Sequence, residues 1–319
     1  MGLAKYRNRL PQRDGGLFLT DSGLETTLIF HEGWELPRFE AFTLLASARG
    51  QAVLRGYYER HVRLAVRQRM GFVAESPTWR ANPDWGARVG YDRAALATAN
   101  HAAIALMHAL RASSESAHTP VVISGNIGPR GDGYEVGSLM SPEEAEAYHA
   151  WQIGVLRDAG ADLVSAFTMT NVNEAIGVAN AARAAGMPCV ISFTVETDGR
   201  LPAGDHLGDA IDAVDIATGD APAYYMINCA HPTHFETVLD PGAGWLRRIG
   251  GLRANASALS HAELDAAMQL HDGNAFELGE QYGALCRRFP HLTVLGGCCG
   301  TDHRHVESIA HACMRSRAA

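Results

Sequence analysis

The chain has 319 residues, of which 47% are hydrophobic and 19% charged, a composition typical of an ordinary globular protein. Its net charge of −8 comes from 27 basic and 35 acidic residues without a lysine or arginine run, which argues against nucleic acid or an anionic membrane as the main partner. No segment approaches the roughly 18–20 apolar residues that span a bilayer, and the N-terminus lacks the apolar core of a signal peptide.

These features predict a single domain over residues 1–319 in the cytoplasm. In that compartment we expect the six cysteines to be thiols, metal ligands or catalysts rather than disulfides.

Short apolar segments alternate with longer helical ones along the chain. The predicted strands are 17–22, 71–76, 120–126, 161–168, 188–195, 223–229, 249–256 and 292–298. Several are nearly continuous in apolar residues, as strands of a parallel sheet buried on both faces are. The predicted helices are 57–70, 141–160, 173–186 and 302–316. The alternation predicts an α/β fold with a single (β/α)8 TIM barrel, with a doubly wound open sheet as the alternative.

Polar residues and cysteines gather where the predicted strands end. They are Asp21, Glu75, Asn126, Glu196, Asn228, Cys229, Asn255, Cys298 and Cys299. Because a barrel collects its reactive groups at the carboxyl ends of its strands, we expect these side chains to surround one site. Cys189, Cys286 and Cys313 lie elsewhere and are predicted to be small buried residues.

The segment "GGCCGT" (296–301) places two cysteines side by side. Neighbouring side chains on a regular strand point to opposite faces, but the flanking glycines should release the backbone from that constraint. The two thiols can then converge with Cys229 of "INC". Three thiolates and one open position describe a catalytic zinc site at the C-terminal face of the barrel.

Other readings of the same residues stay open. Taken alone, the cysteine pair is also consistent with core packing or with an oxidised pair that forms a disulfide. Of the nearby histidines, His231 is a possible ligand or a donor to one, whereas His303 and His305 begin a helix and are expected to face solvent.

These motifs resemble the homocysteine S-methyltransferase family over nearly the whole chain. This family includes betaine–homocysteine and S-methylmethionine–homocysteine methyltransferases and the first domain of cobalamin-dependent methionine synthase. Beyond the two cysteine motifs, the segments that carry the resemblance are "LTDSGLETTL" (19–28), "ESPTWRAN" (75–82), "GNIGP" (125–129) and "SFTVETDGRLPAGDHLGDAI" (192–211).

The resemblance implies an enzyme that uses Zn²⁺ to transfer a methyl group from an activated donor, of S-methylmethionine or betaine type, to homocysteine. Cys229, Cys298 and Cys299 would hold the zinc, and Asp21 would help hold the amino acid end of the acceptor. No catalytic residue is expected beyond the zinc-activated thiolate of the substrate, so alignment of thiolate, methyl group and leaving group supplies most of the catalysis.

Two positions depart from the family pattern. Phe167 stands where the family commonly has a glutamate that binds the substrate ammonium, and Glu25 replaces a small residue. One hypothesis is that Glu25 restores the lost carboxylate, since a buried ammonium needs a paired anion. The competing hypothesis is an acceptor thiol without an amino group. Glu25 also fits a solvated loop position.

The remaining predicted substrate-binding residues are Glu75, Thr78, Trp79, Asn126 and Glu196. The Trp79 ring could stack on a cationic donor methyl group or could simply pack in a loop. We expect small-molecule partners, a thiol acceptor and a methyl donor. Only about twenty residues follow the cysteine pair, which is consistent with a monomer or a small homo-oligomer. Alternative functions are demethylation of a sulfonium or methylamine catabolite, and a non-catalytic zinc-binding or thiol-sensing barrel.

Overall fold

Eight parallel strands close into a barrel in this computed structural model, which describes residues 4–267 and 269–318. Each strand pairs with its sequence neighbours, and β8 pairs back onto β1 through Phe18 with Val294 and Leu19 with Leu295. The strands are β1 Phe18–Leu19, β2 Gly71–Glu75, β3 Val121–Ile127, β4 Leu163–Met169, β5 Cys189–Phe193, β6 Tyr224–Asn228, β7 Ile249–Ala254 and β8 Val294–Gly297. The predicted TIM barrel is therefore confirmed, and the open sheet is excluded.

Helices connect the strands and cover the outside of the barrel. They are α1 Leu24–Thr26, α2 Ala48–Gln68, α3 Pro83–Arg88, α4 Arg93–Ser114, α5 Pro142–Ala159, α6 Val172–Ala184, α7 Leu207–Thr218, α8 Pro232–Phe235, α9 His261–Asp265, α10 Ala275–Arg288 and α11 His303–Ala318. Short 3-10 or π-helical turns occupy Pro11–Arg13, Thr27–His31, Pro37–Phe39, Ala41–Ala46 and Gly244–Arg248. None of the described helices is both long and apolar enough to span a membrane.

All four predicted helices are present, and their ends follow the sequence signals. Ser141 caps α5 through the Glu144 backbone N–H, and Gly160 ends that helix in the left-handed region at φ 95°. The prediction missed α4, α7 and α10. The side chain of Asp92 caps α4, and Asn274 caps α10. Asp and Asn are favoured helix N-caps, so both residues marked a helix start in the sequence.

The apolar core has two layers, as expected for a barrel with covering helices. Inward-facing side chains such as Val73, Val122 and Val190 fill the barrel, and Leu10 of the N-terminal segment packs among them. Outward-facing strand residues pack against the helices. Gln12 contacts the Tyr224 hydroxyl within the same inner region, so the N-terminal segment packs into the amino end of the barrel.

Candidate metal and substrate site

Three sulfur atoms meet at the C-terminal face of the barrel. The Sγ atoms of Cys229, Cys298 and Cys299 all lie within 4.8 Å of one another, although about seventy residues separate the first from the other two. Cys229 and Cys298 are joined as a disulfide with their Cα atoms 5.4 Å apart, and the Cys299 sulfur lies 3.9 Å from that of Cys229. The three residues that the sequence predicted to meet are therefore brought together.

The disulfide corrects the expectation that all six cysteines are unpaired. Sulfurs that are close enough to share one metal ion are also close enough to bond to each other once two thiols are oxidised. The oxidised pair is Cys229–Cys298, and the sequence-adjacent pair is not bonded. A metal needs thiolates, so metal binding requires this pair in its reduced form.

The backbone explains why adjacent cysteines can converge, with a correction to the role of the glycines. Gly300 has φ 78°, which favours glycine, and Cys229 itself adopts φ 54°. Gly296 and Gly297 do not have positive φ. Instead, a Cβ atom on either would collide with Thr20 or Thr301. These two glycines are needed for close packing rather than for unusual dihedral angles.

Hydrogen bonds hold the cysteine backbone in place. The Cys298 N–H donates to the Ala254 carbonyl over 2.8 Å, and the Cys229 carbonyl accepts from the Asn255 amide at 2.9 Å and contacts His261 Nε2 at 2.6 Å. The Tyr134 hydroxyl lies 3.4 Å from the Cys299 sulfur. Sequence reasoning missed Tyr134 and His261, because neither follows a strand directly.

The cysteines open onto a cavity of about 530 Å³. Its floor contains Arg253 of β7, a residue that sequence reasoning also missed. Arg253 Nη1 lies 2.9 Å from the carboxylate of Asp21, and its other nitrogens donate to the carbonyls of Gly297 and Ser22, each at 3.1 Å. The Tyr57 hydroxyl also donates to Asp21. Asp21 is thus already neutralised by a buried cation beside the cysteine loop.

Phe167 also lines the cavity, with its ring centroid 5.0 Å from the Arg253 guanidinium carbon. Asn228 at the end of β6 holds this part of β4: its side-chain oxygen accepts from the Thr168 N–H, and its amide donates to the Thr168 hydroxyl, both at 2.9 Å. Thr168 has φ 63° at an irregularity near the end of β4, and these bonds stabilise that backbone conformation. The position that the resemblance assigns to an acid is therefore a phenyl ring against an arginine.

Two further acids line the cavity. Burial raises the pKa of Glu75 from 4.5 to about 7, against the attraction of Arg253. Glu75 accepts a hydrogen bond from the Ser165 hydroxyl at 3.2 Å, while its second oxygen has no partner among the described residues. Burial likewise raises the pKa of Glu25 to about 7, with the Asp21 charge adding to the shift. Glu25 is half-buried and lines the cavity, so it is not a fully solvated loop residue.

Other predicted substrate-binding residues have different surroundings. Asn126 lines the cavity, and its side-chain oxygen is buried without a partner among the described residues. The Thr78 hydroxyl donates to the Asn126 carbonyl at 2.7 Å and is not among the cavity-lining residues. Glu196 is also outside the cavity and contacts His261 at 3.2 Å. Trp79 lines the cavity, but its indole N–H donates to the Phe167 carbonyl at 3.3 Å.

The histidines near the cysteine motifs do not join the sulfurs. His231 caps α8 through the Thr233 N–H, and burial lowers its pKa to about 4. His303 is exposed as expected. The expectation for His305 was wrong, because it is only 1% exposed and its ring nitrogens contact the Asp272 carbonyl and Asp302. A helix start can be buried when a neighbouring loop packs over it.

Residues 18–313 match the family model described as homocysteine S-methyltransferase, so the chain belongs to that family. It is accordingly a methyltransferase, and homocysteine is the acceptor for which the family is named. No curated protein matches the chain significantly.

The chain is similar to solved structures of the homocysteine methyltransferase MmuM from Escherichia coli, at 20% sequence identity. The oxidised form matches with a TM-score of 0.73 over 95% of this chain and 97% of MmuM, and the metallated form with 0.67 over 93% and 96%. The apo form gives 0.64 over 95% and 98%. At this identity the likeness supports the shared barrel.

Proposed function

We propose that the chain is a zinc-dependent S-methyltransferase that moves a methyl group from an onium donor to homocysteine, giving methionine. The observation that carries this proposal is the convergence of three cysteine sulfurs at the open end of a barrel that belongs to the homocysteine S-methyltransferase family.

The sulfur geometry fits zinc. A tetrahedral ion with Zn–S bonds of about 2.3 Å separates its sulfur ligands by roughly 3.8 Å. The Cys229–Cys299 distance of 3.9 Å fits this value, and Cys298 needs only reduction of its disulfide to take a third position. Within the described residues, no fourth histidine, cysteine or carboxylate joins this group. A ligand set of three protein sulfurs therefore leaves a position for a substrate.

The environment of Cys299 explains why a cation is needed there. Burial raises the pKa of this thiol above its usual value, so without a cation it stays protonated at neutral pH. Zinc held by three thiolates would supply Lewis acidity that lowers the pKa of an incoming thiol. An acceptor thiol bound at the open position would ionise more readily and release its proton to solvent.

Methyl transfer is a displacement at carbon. The acceptor thiolate forms the new S–C bond while the bond from that carbon to the donor heteroatom breaks, and its electron pair stays on the departing heteroatom. A donor with a positive heteroatom leaves as a neutral group, which favours the reaction. The cavity walls hold the two reactants in line and exclude water, and this alignment is the main contribution of the protein.

Unpaired acceptors in the cavity suit the amino group of homocysteine. The second oxygen of Glu75 and the side-chain oxygen of Asn126 are buried and have no partner in the part of the chain that the structure describes, and both residues line the cavity with Asp21. Buried acceptors of this kind require donors. An ammonium could therefore bind near β2 and β3 in place of the missing β4 carboxylate, while Glu25 remains a candidate for the same compensation.

The central experiment begins with reduced protein and a zinc assay, followed by calorimetric titration with homocysteine. We expect one zinc per chain and proton release on thiol binding, seen as a heat that depends on the ionisation enthalpy of the buffer. Methyl transfer from S-methylmethionine and glycine betaine should then yield methionine. Protein that holds no metal after reduction would reject the proposal. Zinc and thiol binding without transfer to any thiol would favour the thiol-sensing alternative.

A second candidate acceptor is a thiol without an amino group, which the Phe167 ring and the Asp21–Arg253 ion pair favour. Kinetics with homocysteine and 3-mercaptopropionate distinguish the two. If Glu25 supplies the lost carboxylate, Glu25→Ala should raise the KM for homocysteine about tenfold or more and leave that for 3-mercaptopropionate unchanged. An unchanged homocysteine KM would reject compensation by Glu25.

A further inference from the structure

An arginine directly after β2 forms part of the cavity wall. Arg80 is only 7% exposed, and its guanidinium carbon lies 3.4 Å from the centroid of the Trp85 ring and 4.6 Å from that of Trp79. Stacking of this kind fixes the plane of the guanidinium and the direction of its N–H groups. The wall therefore presents a rigid, buried cation to the cavity.

The hydrogen-bonding capacity of Arg80 is not filled. Its Nε is buried and has no partner among the described residues, and its one ion pair, to Asp132, is long at 3.5 Å. A buried N–H group without an acceptor is costly. Two more arginines, both exposed, line the cavity: Arg88, whose guanidinium carbon lies 4.0 Å from the Trp85 centroid, and Arg38. This arrangement is suited to a small anion.

Groups of both signs line this cavity. Arg80 and Arg88 both stack on the Trp85 ring and form a cationic wall, while Glu25 and the three cysteines line the same cavity. A ligand bound there meets guanidinium groups as well as a carboxyl group and the sulfurs. A zwitterion with separated charges matches this layout.

We propose that Arg80, assisted by Arg88, binds the carboxylate of a zwitterionic methyl donor. This inference rests on the methyl transfer proposed above and adds the residue that recognises the donor: Arg80 selects for a carboxylate on the same small molecule as the onium centre. With its carboxylate on Arg80, the donor places its onium methyl group toward the sulfurs. The Trp79 ring then supports Arg80 rather than stacking on the methyl group, because Arg80 lies against that ring.

The test measures binding by calorimetry, independently of turnover, on reduced, zinc-loaded protein. The probes are glycine betaine, dimethylsulfoniopropionate and S-methylmethionine, each compared with its own methyl ester. We expect at least one zwitterion to bind roughly tenfold or more tightly than its ester, since a charge-assisted bond to a buried guanidinium is strong. Arg80→Gln should abolish that preference and leave ester binding unchanged. Arg80→Lys should restore only part of it, because lysine lacks the planar fork.

Two further variants control for stacking and for folding. Arg93→Gln removes an exposed arginine that lies near the Trp151 ring at 5.8 Å outside the cavity, and the preference should persist. The exposed Arg88→Gln should fold normally and reduce the preference about threefold. The inference would be overturned if wild-type protein bound none of the zwitterions more tightly than its ester. It would also be overturned if Arg80→Gln kept the preference for the zwitterion. Homocysteine methylation by wild-type protein in that case would leave the proposed function intact, whereas failure of zinc or homocysteine binding would reject that function separately.

Discussion

Two groups of cysteines in this chain differ in a way that separates a site from a core contact. Cys286 of α10 and Cys313 of α11 have sulfurs 2.8 Å apart, are at most 1% exposed, and are enclosed between packed helices. The other group has three cysteines, which lie at strand ends and line a cavity: Cys229, Cys298 and Cys299. Closeness of sulfur atoms alone therefore does not define a metal site. The number of sulfurs and access from the cavity do.

Surroundings reinforce the difference. The cavity cysteines follow β6 and β8, and both places are tied to β7: the Arg253 guanidinium donates to the Gly297 carbonyl, and the Cys229 N–H donates to the Arg253 carbonyl. The helix pair lies in the apolar core and does not line that cavity. One group can exchange a ligand with solvent, and the other can only pack.

The largest expected effect comes from removing one cavity sulfur. Cys299→Ser should abolish stoichiometric zinc and lower methyl transfer about 1,000-fold or more, because the metal supplies several kcal/mol to thiolate formation. Cys313→Ser, which removes a sulfur from the helix pair, should keep full zinc content and nearly full activity. Metal analysis and a methionine assay on both variants check this. Equal loss of zinc in the two variants would mean that the helix pair matters to the metal.

A smaller effect should follow from removing the charge beside the cavity cysteines. Arg253→Met leaves Asp21 buried without its cation and removes the donor to Gly297, so zinc affinity should fall about 10–100-fold. The free energy of unfolding should fall by roughly 3–5 kcal/mol, the usual cost of breaking a buried ion pair. Chelator competition and urea unfolding measure the two effects. As a matched control, Arg248→Met breaks the half-buried pair with Asp215 outside the cavity and should leave zinc affinity unchanged.

The smallest effect concerns a cavity carboxyl group and depends on pH. The pKa of Glu75 is raised from 4.5 to about 7, so the native protein holds this proton after the unfolded chain has lost it. Native stability should therefore fall as pH rises from about 4.5 to 7. Glu75→Gln should match wild type near pH 4.5 and exceed it at pH 8 by about 1–3 kcal/mol in urea unfolding. A difference that did not change between these pH values would show that burial does not govern this carboxyl group.

Much of the barrel could be predicted because strand burial is a local pattern. Each of the eight predicted segments overlaps a strand, since strands buried on both faces are continuous in apolar residues whatever their neighbours are. The helices were predicted less completely. Helix α4 was missed although its many alanines favour a helix and Asp92 caps it, so in this case the local signal was present in the sequence.

The sequence by itself determined the barrel fold and which three cysteines meet. The alternation of apolar strands with helices, and the position of the cysteines at strand ends, can both be recognised in short segments of sequence. The tertiary structure alone decided what surrounds them. Arg253, Tyr134, His261 and the stacked Arg80 act on the cavity from separate elements of the chain, and no spacing rule relates them. The tertiary structure also showed that Thr78 hydrogen-bonds to the Asn126 carbonyl and that Glu196 contacts His261, and neither residue lines the cavity. Charge pairing and burial depend on distances between remote residues, which only the closed barrel sets.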